Sequence, residues 1–129
     1  MPTARAWRAY PQRYRYEAAV CDQCGKWHFT PRLVCDACRS RKFTIRTMQR
    51  TGAVLTYTTI LVAPAPFADQ APYVVAVVEM DDGPRITTQV VDCSEVQLQV
   101  GLKVKLEFRR VTSDGDAGPI NYGYKAVPV

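Results

Sequence analysis

The chain has 129 residues, 47% of them hydrophobic, with five cysteines and a formal net charge of +5. That length allows one ordinary domain, or a small one beside a metal-stapled module, and the apolar fraction argues against disorder. No apolar run approaches the ~20 residues of a membrane span, and the basic, aromatic start MPTARAWRAYPQRYRY lacks a signal-peptide core, so a cytoplasmic protein without a membrane partner is expected.

Residues 4 to 17 come first. Ala4, Trp7, Arg8 and Ala9 suit a short helix, which Pro11 is expected to end or kink. Trp7, Tyr10, Tyr14 and Tyr16 are a dense set of aromatics for so short a segment. They suit either packing on the body or a docking arm, because protein interfaces enrich aromatics and arginine.

Residues 21 to 38, CDQCGKWHFTPRLVCDAC, carry the strongest chemical signal. The pairs Cys21/Cys24 and Cys35/Cys38 stand ten residues apart, enough for a hairpin between two tight turns. In each turn the amides after the first Cys can point at its sulfur. Two such knuckles facing each other supply four thiolates in a tetrahedron, which Zn²⁺ accepts, and Gly25 fits a position of positive φ. A thioredoxin-like site needs one pair in a βαβ setting, and structural disulfides suit a secreted chain. A rubredoxin-type iron centre takes the same ligands, so zinc is the expectation and iron stays open. Four cysteines leave no open position for water, so the metal is expected to be structural. Trp27, Phe29 and Val34 can cover it, Pro31 stiffens the hairpin, and the lone histidine, His28, suits packing or the surface better than ligation.

Phe43 to Met48 alternates like a strand with a basic outer face, and Thr51-Gly52 reads as a turn or bulge. Five strands follow, at 54–62, 73–80, 85–91, 103–111 and 120–127. The near-continuous apolar run YVVAVVEM should be central, and the Pro-rich stretch 63–72 should be a loop. Ser94 and Gly101 frame a helix of about two turns between the third and fourth strands. That order predicts a mainly β chain: an N-terminal helical arm and zinc ribbon over 1–42, then a five-stranded OB barrel over 43–129.

The charge is uneven. Residues 1–50 carry eleven Lys/Arg against three acids, and residues 51–129 carry six against nine. Part of the first excess (Lys26, Arg32, Arg39, Arg41, Lys42) can offset a four-thiolate centre. A single-strand binder needs a positive groove and stacking aromatics on the barrel. Tyr57, Tyr73, Phe108, Tyr122 and Tyr124 could stack bases, but the barrel half is acidic, so nucleic acid is the secondary reading. Cys93 is the one candidate nucleophile, at the start of the expected helix, where a dipole could lower its pKa. No histidine stands near it in sequence, no Ser/His/Asp set or Gly-rich phosphate loop is present, and no independent enzyme is expected.

A W-R-x-x-P-x-R-Y helix, the four-Cys ribbon with Pro in its hairpin, Gly52 to Thr58, Val100 to Val104 and Tyr122-Gly123-Tyr124-Lys125 together span residues 4 to 127. In this order they resemble the rubredoxin-like zinc-ribbon plus OB-fold accessory proteins of acyl-CoA enzymes, the thirty-fifth domain of unknown function. The resemblance implies a non-catalytic partner of thiolase-fold enzymes, such as acetoacetyl-CoA thiolase with HMG-CoA synthase in the mevalonate route, or a related acyltransferase or aldolase. The implied role is a scaffold in a hetero-oligomer that holds active sites together for intermediate transfer. Condensing two acetyl-CoA is uphill, so consuming the product locally pulls it forward. Contact with the partner's coenzyme A, for which Arg39, Arg41 and Lys42 are the nearest cationic cluster, belongs to the same implication.

Overall fold

The computed structural model describes residues 3–129, so Met1 and Pro2 of the expected N-terminal arm lie outside the described residues. Helix α1 (Ala4–Tyr14) is capped by Thr3, whose hydroxyl accepts from the Ala6 amide at 3.2 Å. Of the two outcomes expected at Pro11, an end or a kink, the first does not occur. Proline removes only its own N–H, and its carbonyl still accepts from the Arg15 amide at 3.1 Å. The helix stops at Tyr16, which takes the left-handed conformation (φ 57°) that closes many helices and usually falls to glycine. Its ring is almost wholly buried, which compensates for the backbone strain.

The N-terminal half continues as a three-stranded antiparallel sheet in the order β2-β1-β3: β1 (Glu17–Cys21), β2 (Trp27–His28) and β3 (Phe43–Thr47). The C-terminal half is a closed barrel. Its strands are β4 (Thr51–Ile60), β5 (Tyr73–Met80), β6 (Arg85–Val90), β7 (Lys103–Ser113) and β8 (Ile120–Pro128), in the order β4-β5-β6-β8-β7. The pairing changes over between Thr47 and Thr51, a few residues past the expected division at 42/43. Register shifts between Val54 and Thr56 and between Arg110 and Thr112 mark bulges, which bend strands. The whole is mainly β with one short N-terminal helix and a five-stranded OB barrel, as expected.

The apolar run β5 lies between β4 and β6 and sends Ala76, Val78 and Met80 inward. Val54, Val90, Val104, Leu106 and Ala126 complete the barrel interior, and Tyr16, Ala18 and Met48 extend the same cluster under the ribbon sheet. Trp27 and Phe29 pack against this cluster too, whereas Val34 is exposed. Two of the three side chains expected over the metal therefore also pack against the core shared by ribbon and barrel. The Tyr124 hydroxyl donates to the Tyr14 carbonyl at 2.5 Å, tying the last strand to the end of α1.

Gly52 is set by a close approach. A Cβ there would sit 2.5 Å from the Glu79 carbonyl oxygen on β5. Gly52→Ala must push β4 and β5 apart, and a loss of about 1–3 kcal/mol is expected in a denaturant melt. A variant as stable as the parent would show that the strands yield freely.

The helix expected after Ser94 is absent. The start signal works locally: the Gln97 side chain accepts from the Ser94 amide at 3.3 Å, and the Ser94 carbonyl accepts from the Leu98 amide at 3.2 Å. Only turns follow, because Val96 and Val100 face solvent and Leu98 alone reaches the core. One apolar anchor does not hold an amphipathic helix on a body. The loop 63–72 holds one 3-10 turn, Ala65–Phe67, and the Gln70 amide group fastens it to the Val111 carbonyl at 2.9 Å.

Candidate metal centre

The two Cys pairs fold into near-identical knuckles. In the first, the Cys21 carbonyl accepts from the Gly25 amide and the Cys21 amide donates to the Lys26 carbonyl, both at 2.9 Å. In the second, the Cys35 carbonyl accepts from the Arg39 amide and the Cys35 amide donates to the Ser40 carbonyl, again at 2.9 Å. Each loop reverses through a left-handed residue four positions after its first Cys: Gly25 at φ 76° and Arg39 at φ 60°. The glycine announces its turn in the sequence. The arginine gives no such signal, and only the matched hydrogen bonds reveal the equivalence.

The knuckles bring four sulfurs together. Cys21 and Cys38 lie 3.4 Å apart, Cys24 and Cys35 3.5 Å apart, and all four lie within 4.8 Å of one another. These separations exceed the ~2.05 Å of a disulfide. They fit a tetrahedron in which sulfurs ~2.3 Å from a central zinc stand about 3.8 Å apart. Cys21 and Cys35 are buried, Cys38 is half-buried and Cys24 is exposed.

The backbone favours anionic sulfur here. The amides of Cys24 and then Gln23 aim at Cys21 and lower its thiol pKa to about 6. The amides of Cys38 and Ala37 lower that of Cys35 in the same way, whereas at Cys24 and Cys38 the amides of Lys26 and Ser40 are outweighed by burial and the neighbouring sulfurs, which push both thiols up. Opposed knuckles are also joined outside the sulfurs, where the Lys26 ammonium bonds both oxygens of Asp36 at 2.7 and 2.8 Å. That hydrogen bond holds the Asp36 carboxyl below its usual range.

His28 is buried in β2 with its ring edge-on to Phe43 and its Nε2 3.8 Å from Asp36. A ring nitrogen also lies within 4.8 Å of the Cys35 sulfur, but the Asp36 carboxylate on that side is engaged by Lys26. Its setting is that of a packed ring. Cys93 stands apart on the barrel. Without a helix behind it there is no dipole to lower its pKa; burial pushes the thiol up, and it donates to the Ser94 carbonyl at 3.4 Å. That is the opposite of an activated nucleophile.

A line of rings missed by sequence reasoning leads from the arm to the barrel. Trp7, Tyr10, Tyr14, Phe108 and Tyr122 touch in succession, with centroids 5.1 to 6.0 Å apart. Trp7 is 69% exposed, while Phe108 and Tyr122 are each 44% exposed. The spacing within α1 was legible, but the meeting of α1 with β7 and β8 depends on the tertiary fold. Among the described residues, no helix is long and apolar enough to cross a membrane.

Known proteins contain both parts. Residues 8–44 match the family model of the ChsH2 rubredoxin-like zinc ribbon domain, and residues 46–109 match that of the ChsH2 C-terminal OB-fold domain. A DUF35 domain-containing scaffold protein of Methanocaldococcus jannaschii is 41% identical, over 97% of this chain and 89% of the relative. One of Methanothermobacter thermautotrophicus is 39% identical, over 98% and 96%. A solved structure, the Ltp2-ChsH2(DUF35) aldolase, is similar with TM-score 0.70 and 26% identity, covering 94% of this chain and 89% of that one. With a zinc-ribbon match, an OB-fold match and near full-length relatives, this chain belongs to the DUF35 domain-containing scaffold proteins.

Proposed function

We propose that this chain is a non-catalytic accessory subunit that holds thiolase-fold acyl-CoA enzymes together, with acetoacetyl-CoA thiolase and HMG-CoA synthase, or a related acyltransferase, as its partners. The observation that carries the reading is near full-length similarity to scaffold proteins. The similar aldolase that contains a ChsH2(DUF35) component supports an enzyme as the partner. Cys21, Cys24, Cys35 and Cys38 hold a structural zinc in this reading, and four thiolates fill its coordination. The zinc supplies a fixed crossing point for two loops; the chemistry of the complex belongs to the partner. The arm, with Trp7 exposed and Tyr10 and Tyr14 half-buried, and the loop 63–72 are the proposed contact surfaces; Tyr16, the last ring of the arm, is buried and serves the core instead.

Contact with the partner's coenzyme A is a further part of the reading. An apolar cavity of about 290 Å³ lies between Phe67, Tyr73, Val75 and Tyr124. It adjoins a polar one of about 480 Å³ lined by Asp69 as well as by Arg110 and Lys125; in this reading the apolar part takes an acyl chain and the two cations a phosphate beside it.

Reconstituting the host's thiolase and HMG-CoA synthase with and without this chain tests the proposal. With it, acetoacetyl-CoA should stay low while flux to product rises. Equal flux and equal accumulation in both mixtures would overturn it. Nucleic acid remains the alternative partner, and binding to a single strand that falls steeply with salt would favour it.

A further inference from the structure

Strand β3 is an open edge. In the order β2-β1-β3 it has a neighbour on one side alone, and Thr44 to Thr47 are exposed, Ile45 by 53%. The register fixes which backbone groups lie on the open side. Ala18 pairs with Arg46 and Val20 with Thr44, and the ladder is bounded by the Met48 amide donating to the Tyr16 carbonyl and the Asp22 amide donating to the Lys42 carbonyl. In an antiparallel pair, hydrogen-bonded and non-hydrogen-bonded positions alternate. Lys42, Thr44, Arg46 and Met48 therefore face β1, and Phe43, Ile45 and Thr47 direct their N–H and C=O groups outward. The other side of β1 agrees: the Cys21 amide donates away from β3, to the Lys26 carbonyl. No described residue bonds the outward groups of Phe43, Ile45 or Thr47.

The edge strand and its flanks are rich in cations, although the Asp22 carboxylate accepts from the Thr44 hydroxyl at 2.6 Å and that of Asp82 from the Gln49 amide at 2.7 Å. From residue 39 to residue 50 there are five cations, Arg39, Arg41, Lys42, Arg46 and Arg50, and no acid. Among the described residues, none of the five forms an ion pair. Edge cations can serve only to discourage pairing, and they do so most effectively against a second copy, whose own β3 would bring the same charges. Against an acidic strand the same charges attract.

We propose that β3 is a docking edge for an extended acidic segment of a partner protein, which adds to the ribbon sheet as a fourth strand. Main-chain bonds to Phe43, Ile45 and Thr47 give the pairing, and Arg41, Lys42 and Arg46 select acidic side chains. The surface is separate from the ring line and the loop 63–72, and it does not depend on which enzyme those contact.

Amide hydrogen exchange on the full-length chain, read by NMR, tests it with a capped heptapeptide of alternating glutamate and valine as probe. In the free protein, Thr44, Arg46 and Met48 should be protected while Phe43, Ile45 and Thr47 exchange quickly. With the peptide present, the latter three should slow by about tenfold or more, and salt should reverse the effect. The matching lysine–valine peptide should do nothing. Ile45→Pro removes an outward N–H and leaves the β1 ladder intact, so it should abolish the protection; Arg46→Glu should do the same without touching the backbone. Equal protection by both peptides, or by neither, would overturn the proposal. Protection of the outward amides in the free protein that grows with its concentration would also overturn it, and would assign the edge to a second copy.

Discussion

Removing the metal from the purified chain with a strong chelator is expected to disorder residues 21–42 and leave the barrel folded. Structural zinc in finger peptides contributes an apparent ~10–16 kcal/mol at neutral pH. The knuckles have little else to replace it: Cys24, Leu33 and Val34 face solvent, and β2 is two residues long. The barrel keeps its own ladders, with Val54, Val78 and Leu106 buried in them. Hydrogen exchange should therefore show loss of protection at the Gly25 and Arg39 amides and retention along β5 and β7. Cys24→Ser should move in the same direction and release bound partners. Knuckles that stay protected without metal, or a barrel that melts with them, would show that the sulfurs are not the staple described here.

Tyr16→Ala is expected to cost about 3–5 kcal/mol, the range for losing a buried aromatic, and to uncouple the two halves. Tyr16 sits where α1 ends, where the ribbon sheet begins and where the barrel core opens. Its ring touches Phe29 of the ribbon at 5.1 Å and Tyr124 of the barrel at 5.0 Å. The expected readout is a broadened or split denaturant transition. Tyr16→Phe keeps the ring and should change stability by less than about 1 kcal/mol, since no described residue pairs with the hydroxyl.

The same residue predicts alkaline behaviour. Burial raises the Tyr16 phenol well above its ordinary value, and the neighbouring Tyr124 and Asp82 add to the shift. A raised folded pKa means that the folded state holds its proton while the unfolded chain gives it up near pH ~10. Stability is thus fully present below that pH and is lost as pH rises beyond it. Tyr16→Phe should flatten the alkaline loss, and an unchanged profile would remove Tyr16 as its source.

Those features that local chemistry decides were legible in the sequence. Two C-x-x-C pairs at hairpin spacing defined the knuckles, Gly25 marked a left-handed turn, and the apolar run at β5 marked the centre of the barrel. What escaped depends on packing. Arg39 and Tyr16 adopt glycine-like conformations that no residue preference announces, each held by its surroundings. Pro11 reads as an end or a kink, yet it costs one hydrogen bond and the helix runs on to Tyr14. Ser94 does nucleate a turn, and the helix fails for want of a second apolar anchor. Trp27 and Phe29, expected over the metal, also pack against the core shared with the barrel, a contact that no local pattern announces. The open edge of β3 was visible as a basic alternating strand. Its missing neighbour became apparent only with the sheet order.

Affinity purification of the chain from its own host, followed by native mass spectrometry of what it carries, tests the scaffold role most directly. The account predicts a hetero-oligomer that contains a thiolase-fold enzyme at near-stoichiometric amount, with the mass of one zinc per copy of this chain. A solitary chain, or one that carries nucleic acid which dissociates at moderate salt, would contradict it.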